Sequence, residues 1–240
     1  SGSGQWVNWV YTRAGNPADL LMPMTTGPHL IGYFRGTDNE RLASAVIEVE
    51  PVSATLTAPS QAVAGSTVEI GWTGPGHDGD FIGIGTAGAT GSGQWINFAY
   101  TRDGNPAAIQ MPIEPGDYVV TYFADQDRAP LAQVPIAVTA VTADVSAPAE
   151  APAGSEVAVT WSGPDFPNDY IGIGRPGATG SGQWEYFVYT REGSPATLAV
   201  PAVPGDYVIT YFASQDRTAL ASTPIVVGAV EASLTAPATA

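Results

Sequence analysis

Thr67-Val68-Glu69-Ile70-Gly71-Trp72-Thr73 alternates without a break. Val68, Ile70 and Trp72 fall on one side of an extended chain, and Thr67, Glu69 and Gly71 on the other. A period of two, bounded by turn residues, reads as a strand with one face in a core and one in water. The pattern returns as Val157, Val159 and Trp161, 89 residues later. Reading outward, Ala54–Thr57 is a short strand ended by Ala58-Pro59. Beyond a Gly/Pro/Asp turn come Asp80–Gly85, a glycine-rich loop, Gln94–Thr101, Ala107–Met111, Asp117–Phe123 (after the turn at Pro115-Gly116) and Val134–Thr139. Seven short strands in roughly 90 residues, with no sustained helical period, predict an all-β, two-sheet antiparallel sandwich.

The same words recur along the whole chain. GSGQW opens at Gly2, Gly91 and Gly180, and Y-T-R-x-G-[NS]-P at Tyr11, Tyr100 and Tyr189. Prolines of a T/S-A-P phrase stand at Pro59, Pro148 and Pro237, so every spacing is 89 residues. A fixed internal period sets the architecture before any single residue is weighed. The expected division is the C-terminal half of a repeat at 1–52, complete repeats at 53–141 and 142–230, and the first strand of another at 231–240. The run Pro135–Pro148 joins two repeats with no Gly/Ser linker, which predicts a stiff rod gaining roughly 30–40 Å per repeat. The frame reads as a window on a longer array. The stretch equivalent to 241–267 would carry the Trp strand, so one chain's tail does not complete another chain's head. Completion by a different partner, as in strand-donation filaments, is the alternative.

Composition narrows the function. Formal net charge is -15, from 23 acids and 8 bases that are all arginine, in a chain that is 44% hydrophobic. That repels nucleic acid and anionic membrane while leaving enough apolar residue for a core. Cysteine is absent, which points to a bacterial chain or a reducing compartment. Without lysine, Lys–Asn isopeptide staples are excluded, so assembly is non-covalent. No apolar stretch is long enough for a membrane helix and no signal peptide is visible, although a frame that opens mid-repeat says little about export.

The phrases W-[TS]-G-P at Trp72 and Trp161, D-[FY]-I-G-I at Asp80 and Asp169, and P-G-D-Y-x-[VI]-T-Y-F at Tyr118 and Tyr207 resemble the Ig-like repeats found in tandem in large secreted bacterial proteins. Some of those also carry a von Willebrand-type A domain. The resemblance covers essentially the whole chain; it implies the fold and a tandem extracellular role, and no chemistry. Tyr118 and Tyr207 also resemble the tyrosine corner of Ig-type sandwiches. The first repeat departs from it, with Pro28-His29 in place of Asp-Tyr.

Catalytic and cofactor signals find little footing. Gly83-x-Gly85-x-x-Gly88 and Gly172-x-Gly174-x-x-Gly177 match a dinucleotide fingerprint, but an aromatic strand follows where that site needs a helix. Close backbone approach and positive-φ turns are the plainer reading. His29 and His77 occupy non-equivalent positions, so no enzyme is expected. Asp78, Asp80, Asp165 and Asp169 are candidate Ca²⁺ ligands at a sandwich tip, without the D-x-D-x-D spacing of a dense calcium loop; turn capping competes. Arg13, Arg102 and Arg191 recur in register and are expected to pair with Asp38, Asp127 and Asp216.

Trp6, Trp95 and Trp184 are the candidate interaction residues. By strand parity Trp95 points away from Ile96, Phe98 and Tyr100, so if those face the core a Trp is presented once per repeat. It would serve lateral packing, a sugar platform, or cover for its own loop. The expected function is a structural segment of a long extracellular or cell-surface bacterial protein that self-associates as a fibre, stalk or matrix filament. The alternative is an adhesin-type module recognising carbohydrate or a surface.

Overall fold

The computed structural model describes residues 6–91, 93–178 and 182–235; the repeat markers Gly2, Gly180 and Pro237 lie outside them. Among the described residues the regular elements are strands and single 3-10 turns. Contacts divide the chain into two compact units: Ser1–Ser60 with Val68–Ile109 and Asp117–Ile136, and Gln61–Thr67 with Gln110–Gly116 and Ala137–Ala240.

In chain order the strands are β1 (Gly27–Phe34), β2 (Arg41–Val49), β3 (Thr55–Thr57), β4 (Gln61–Val63), β5 (Thr67–Thr73) and β6 (Phe81–Thr86). There follow β7 (Trp95–Tyr100), β8 (Ala107–Gln110), β9 (Gly116–Phe123) and β10 (Pro130–Thr139). The last eight are β11 (Asp144–Ser146), β12 (Glu150–Pro152), β13 (Glu156–Ser162), β14 (Tyr170–Gly174), β15 (Trp184–Tyr189), β16 (Ala196–Ala199), β17 (Gly205–Phe212) and β18 (Ala219–Gly228). They form three-stranded sheets β3-β5-β8 and β11-β13-β16, and five-stranded sheets β4-β10-β9-β6-β7 and β12-β18-β17-β14-β15. β1 and β2 form an antiparallel pair.

The alternation that decided the reading is visible in the burial of β13. Val157 and Val159 are buried while Glu156, Ala158 and Thr160 are exposed. One apolar cluster joins Val145, Val157, Val159 and Leu198 of the three-stranded sheet to Ile171, Ile173, Tyr207, Ile209 and Tyr211 of the five-stranded sheet. The chain is therefore an all-β, sandwich-like protein. Tyr207 makes the expected corner, its hydroxyl donating to Val203 O at 2.9 Å. In the first repeat His29 Nδ1 instead lies 3.0 Å from Gly27 O.

Two features escaped the strand reading. Gln61–Val63 and Glu150–Pro152 are three-residue strands that pair in parallel with the ends of β10 and β18. Three residues after a proline are too few to show a period. The last strand also runs longer than read, starting at Pro130 rather than Val134 and at Ala219 in the next repeat, and it passes through Pro135 and Pro224. Proline is tolerated because the parallel neighbour pairs only with 137–139 and 226–228, leaving the proline on an unpaired edge.

The Y-T-R-x-G-[NS]-P phrase proves to be a clamp on the core Trp. Trp72 Nε1 donates to Gly104 O at 3.0 Å, and Asn105 brackets the Trp72 backbone, accepting from its N–H and donating to its carbonyl. Trp161 repeats this with Gly193 O and the Ser194 hydroxyl. Both indoles are half-buried, and a ring with one end in the core needs such a partner for its N–H. The short polar side chain before the proline is thus explained by Trp packing rather than by chemistry.

Candidate interaction surface

Trp95 reaches the outer face of its sheet through a β-bulge. Phe81 pairs with Tyr100 and Gly83 with Phe98, but Gly85 pairs with Trp95, so Ile96 is an extra residue on β7. A bulge breaks strict parity. It places Trp95, Phe98 and Tyr100 on one face with Phe81 and Phe123. The expectation that Phe98 and Tyr100 face the core while Trp95 points the other way is therefore corrected. The core face belongs to Ile82 and Ile84, both fully buried, whereas Ile96 and Phe98 are 46% and 47% exposed.

Phe81 and Phe123, stacked at 4.9 Å, form the base of an aromatic layer. Across it runs a row: Trp95 lies 6.4 Å from Phe98, and Phe98 lies 5.4 Å from Tyr100. Each end carries a guanidinium, with Arg128 5.6 Å above Trp95 and Arg102 4.0 Å above Tyr100. The next repeat rebuilds the row as Arg217, Trp184, Phe187, Tyr189 and Arg191, with separations of 6.0, 6.5, 5.3 and 4.0 Å. In the first repeat Trp6 packs on Phe34, Trp9 takes the Phe98 position beside Tyr11, and Arg13 lies 4.5 Å over Tyr11. Asn39 stands there in place of Arg128, so that row has an arginine at one end.

Gly83 and Gly172 allow the Trp to lie flat. A Cβ on Gly83 would come 3.0 Å from Trp95 Cβ, and one on Gly172 would come 3.2 Å from Trp184 Cβ. Close approach is what the G-x-G phrase supplies here.

Arg128 and Arg217 are aimed by an unusual turn. Asp127 and Arg128 have φ of 58° and 48°, and Asp216 and Arg217 have 53° each. Two successive left-handed residues other than glycine cost about 1–2 kcal/mol apiece. The turn is nonetheless built twice, 89 residues apart. The expected pairing of Arg102 and Arg191 with Asp127 and Asp216 is not what forms. Arg102 donates to Asp78 O at 2.7 Å and lies 4.0 Å from the Asp103 carboxylate, while Asp38 pairs with Arg35. Among the described residues no carboxylate pairs with Arg128, Arg191 or Arg217.

The four aspartates divide by depth. Asp78 and Asp165 are exposed; Asp80 and Asp169 are buried. Asp80 Oδ1 accepts from Asp125 N–H at 2.8 Å. Its Oδ2 accepts from the Tyr122 hydroxyl at 2.8 Å and from His77 N–H at 3.1 Å. Asp169 takes the same set from Ser214, Tyr211 and Phe166. Burial pushes Tyr122 up to about 12, so its hydroxyl stays a donor at neutral pH. Among the described residues no group of three His, Cys, Asp or Glu is placed to hold a metal.

Burial raises the Asp169 carboxyl above its ordinary value, against the lowering effect of the Ser214, Tyr211 and Phe166 donors, with Asp165 adding to the rise. A raised native pKa means the folded state holds the proton more tightly. Its contribution is complete below the unfolded value of about 3.9 and is lost as pH rises through the folded value. The stability lost in Asp169→Asn should therefore be greater at pH 4 than at pH 7, read from urea midpoints. A loss that grows towards pH 7 would contradict this.

Tyr170 offers a contrast. Its hydroxyl is buried without a hydrogen-bond partner. The equivalent residue, Phe81, stacks on Phe123 at 4.9 Å as Tyr170 stacks on Phe212 at 5.1 Å. An unpaired buried hydroxyl costs about 1 kcal/mol or more. Tyr170→Phe should leave the melting temperature unchanged or raise it, whereas Tyr211→Phe, which removes the donor to Asp169, should lower it.

No protein-family model matches the chain, and no curated protein matches it in sequence. Among solved structures it is similar to a protein described as membrane anchored from Corynebacterium diphtheriae, at 15% identity, 80% of this chain, 62% of that one and a TM-score of 0.27. It is also similar to SGBP-B of the Bacteroides ovatus mixed-linkage glucan utilization locus, solved with a mixed-linkage heptasaccharide, at 15%, 80%, 50% and 0.24. A third is invasin, a bacterial integrin-binding protein, at 15%, 88%, 48% and 0.25. The chain spans less than two thirds of each of these three, and at such scores they assign nothing to it.

Proposed function

We propose that this chain is a structural segment of a long extracellular bacterial repeat protein, working as a fibre, stalk or matrix filament through non-covalent self-association. The observation that carries the reading is the Arg–Trp–Phe–Tyr–Arg row, built twice with nearly the same separations. The core does not need it: Phe98 and Phe187 are 47% and 48% exposed. Exposed rings bordered by polar groups mark contact surfaces. We ascribe no catalytic step to the chain, because the buried carboxylates Asp80 and Asp169 each have both oxygens engaged as acceptors.

The runner-up is an adhesin-type carbohydrate platform, which the same exposed rings favour. Sugar stacking needs an open ring face, however, and Arg128 and Arg102 lie over Trp95 and Tyr100, leaving Phe98 the most open of the three. Sedimentation velocity across a wide concentration range, with and without neutral and acidic oligosaccharides, separates the readings. Concentration-dependent association that sugars leave untouched supports the fibre. A monomer that binds sugar in proportion to intact Trp95 and Trp184 supports the adhesin, and a monomer that binds neither removes both.

A further inference from the structure

We propose that the arginine-capped row of one copy docks on the outward face of the three-stranded sheet of a second copy, guanidinium against carboxylate. The inference rests on the self-association reading and names its two surfaces. Both arginines of residues 53–141, Arg102 and Arg128, lie over rings of the row. So do Arg191 and Arg217 in the following repeat. An acidic protein, with 23 acids against 8 bases, thus places most of its positive charge in these repeats on one aromatic face. Carboxylates are plentiful, yet among the described residues none pairs with Arg128 or Arg217. A left-handed turn instead holds each over its Trp.

The opposite side of the same sandwich supplies the complement. On β3 and β5, Thr55, Thr57, Thr67, Glu69 and Thr73 are exposed, so the face is short-chained, polar and negative. On β11 and β13 the outward carboxylates are Asp144 and Glu156. Short hydroxyl side chains leave room for protruding rings such as Phe98, and Glu69 and Glu156 can meet guanidinium groups. The guanidinium groups of Arg128 and Arg217 on the front and the carboxylates of Glu69 and Glu156 on the back let one copy meet the next front to back. Such a contact is heterologous: it leaves a free front at one end and a free back at the other, and generates an open assembly when it does not close into a ring.

The test is a charge exchange at exposed positions, which leaves the core intact. The double variants Arg128→Glu/Arg217→Glu and Glu69→Arg/Glu156→Arg are made separately in the full chain, with folding checked by circular dichroism. Each alone should associate at least ~10-fold more weakly than the wild type, because like charges then face each other at every contact. Mixed in equal amounts they should associate again, alternating one native and one exchanged contact, and the wild-type assembly should weaken as salt rises. If the wild type assembles but the mixture does not recover, these faces are not the contact and the proposal fails while the fibre reading stands. If the wild type stays monomeric at every concentration, the fibre reading fails first.

Discussion

Replacing Asp80 or Asp169 with alanine is expected to cost about 3–5 kcal/mol, the largest single-site loss in the molecule. Each carboxylate is buried and accepts three hydrogen bonds. Its donors come from three separate places: the turn before β6 or β14, a tyrosine of β9 or β17, and the turn that follows that strand. Alanine leaves a tyrosine hydroxyl and two backbone N–H groups buried with reduced access to water, and each unsatisfied donor costs about 1–3 kcal/mol. Asparagine should fall between, because its amide offers one acceptor oxygen and turns an NH₂ towards groups that must donate. Tyr122 also accepts from Gly76 N–H at 3.0 Å, and Tyr211 from Asp165 N–H at 3.0 Å, so losing the carboxylate loosens the whole loop. The measurement is urea unfolding followed by tryptophan fluorescence, to which all six tryptophans contribute, Trp72 and Trp161 beside these tyrosines among them. A loss below about 1 kcal/mol would mean that water reaches the site and replaces the lost acceptor.

This carboxylate shows why the fold was easier to read than its sites. Period-two alternation at Val68, Ile70 and Trp72 is local, and local patterns survive in one dimension. The partners of Asp80 lie 42 and 45 residues away at Tyr122 and Asp125, so only folding reveals that a loop aspartate is a buried acceptor. In sequence it reads either as a turn cap or as a calcium ligand. The Trp was legible as an outlier, but its neighbours were not. One extra residue at Ile96 reverses the parity on which the reading of Phe98 and Tyr100 rested. The signal available was composition: five of six residues in Trp95–Tyr100 are apolar or aromatic, too many for a strand with one clean polar face. The arginine turn was invisible for a different reason. Left-handed φ is expected of glycine, asparagine or aspartate, so Asp127 could signal it, but a second left-handed residue at Arg128 could not be anticipated.

Gly83→Ala and Gly172→Ala carry the second large effect, because they strike the row without removing any of its rings. The new Cβ would sit 3.0 Å from Trp95 Cβ in the first case and 3.2 Å from Trp184 Cβ in the second. At that distance the Trp must lift or β6 must move from β7; overpacking of this kind costs about 1–3 kcal/mol. Gly88→Ala is the natural control. It has φ of +87° and nothing within 4 Å of its added Cβ, so it strains the backbone by about 1 kcal/mol without touching the Trp. If the row is the contact surface, Gly83→Ala/Gly172→Ala should abolish association even under conditions where both variants remain folded. Gly88→Ala should associate as the wild type does. Equal association by all of them, with only the melting temperature lowered, would make the rings a lid over Phe81 and Phe123 and nothing more. The comparison separates the two roles because they ask different things of the same Trp: shielding Phe81 needs only that the rings pack, 4.9 Å apart, whereas the proposed contact needs Trp95 flat between Arg128 and Phe98.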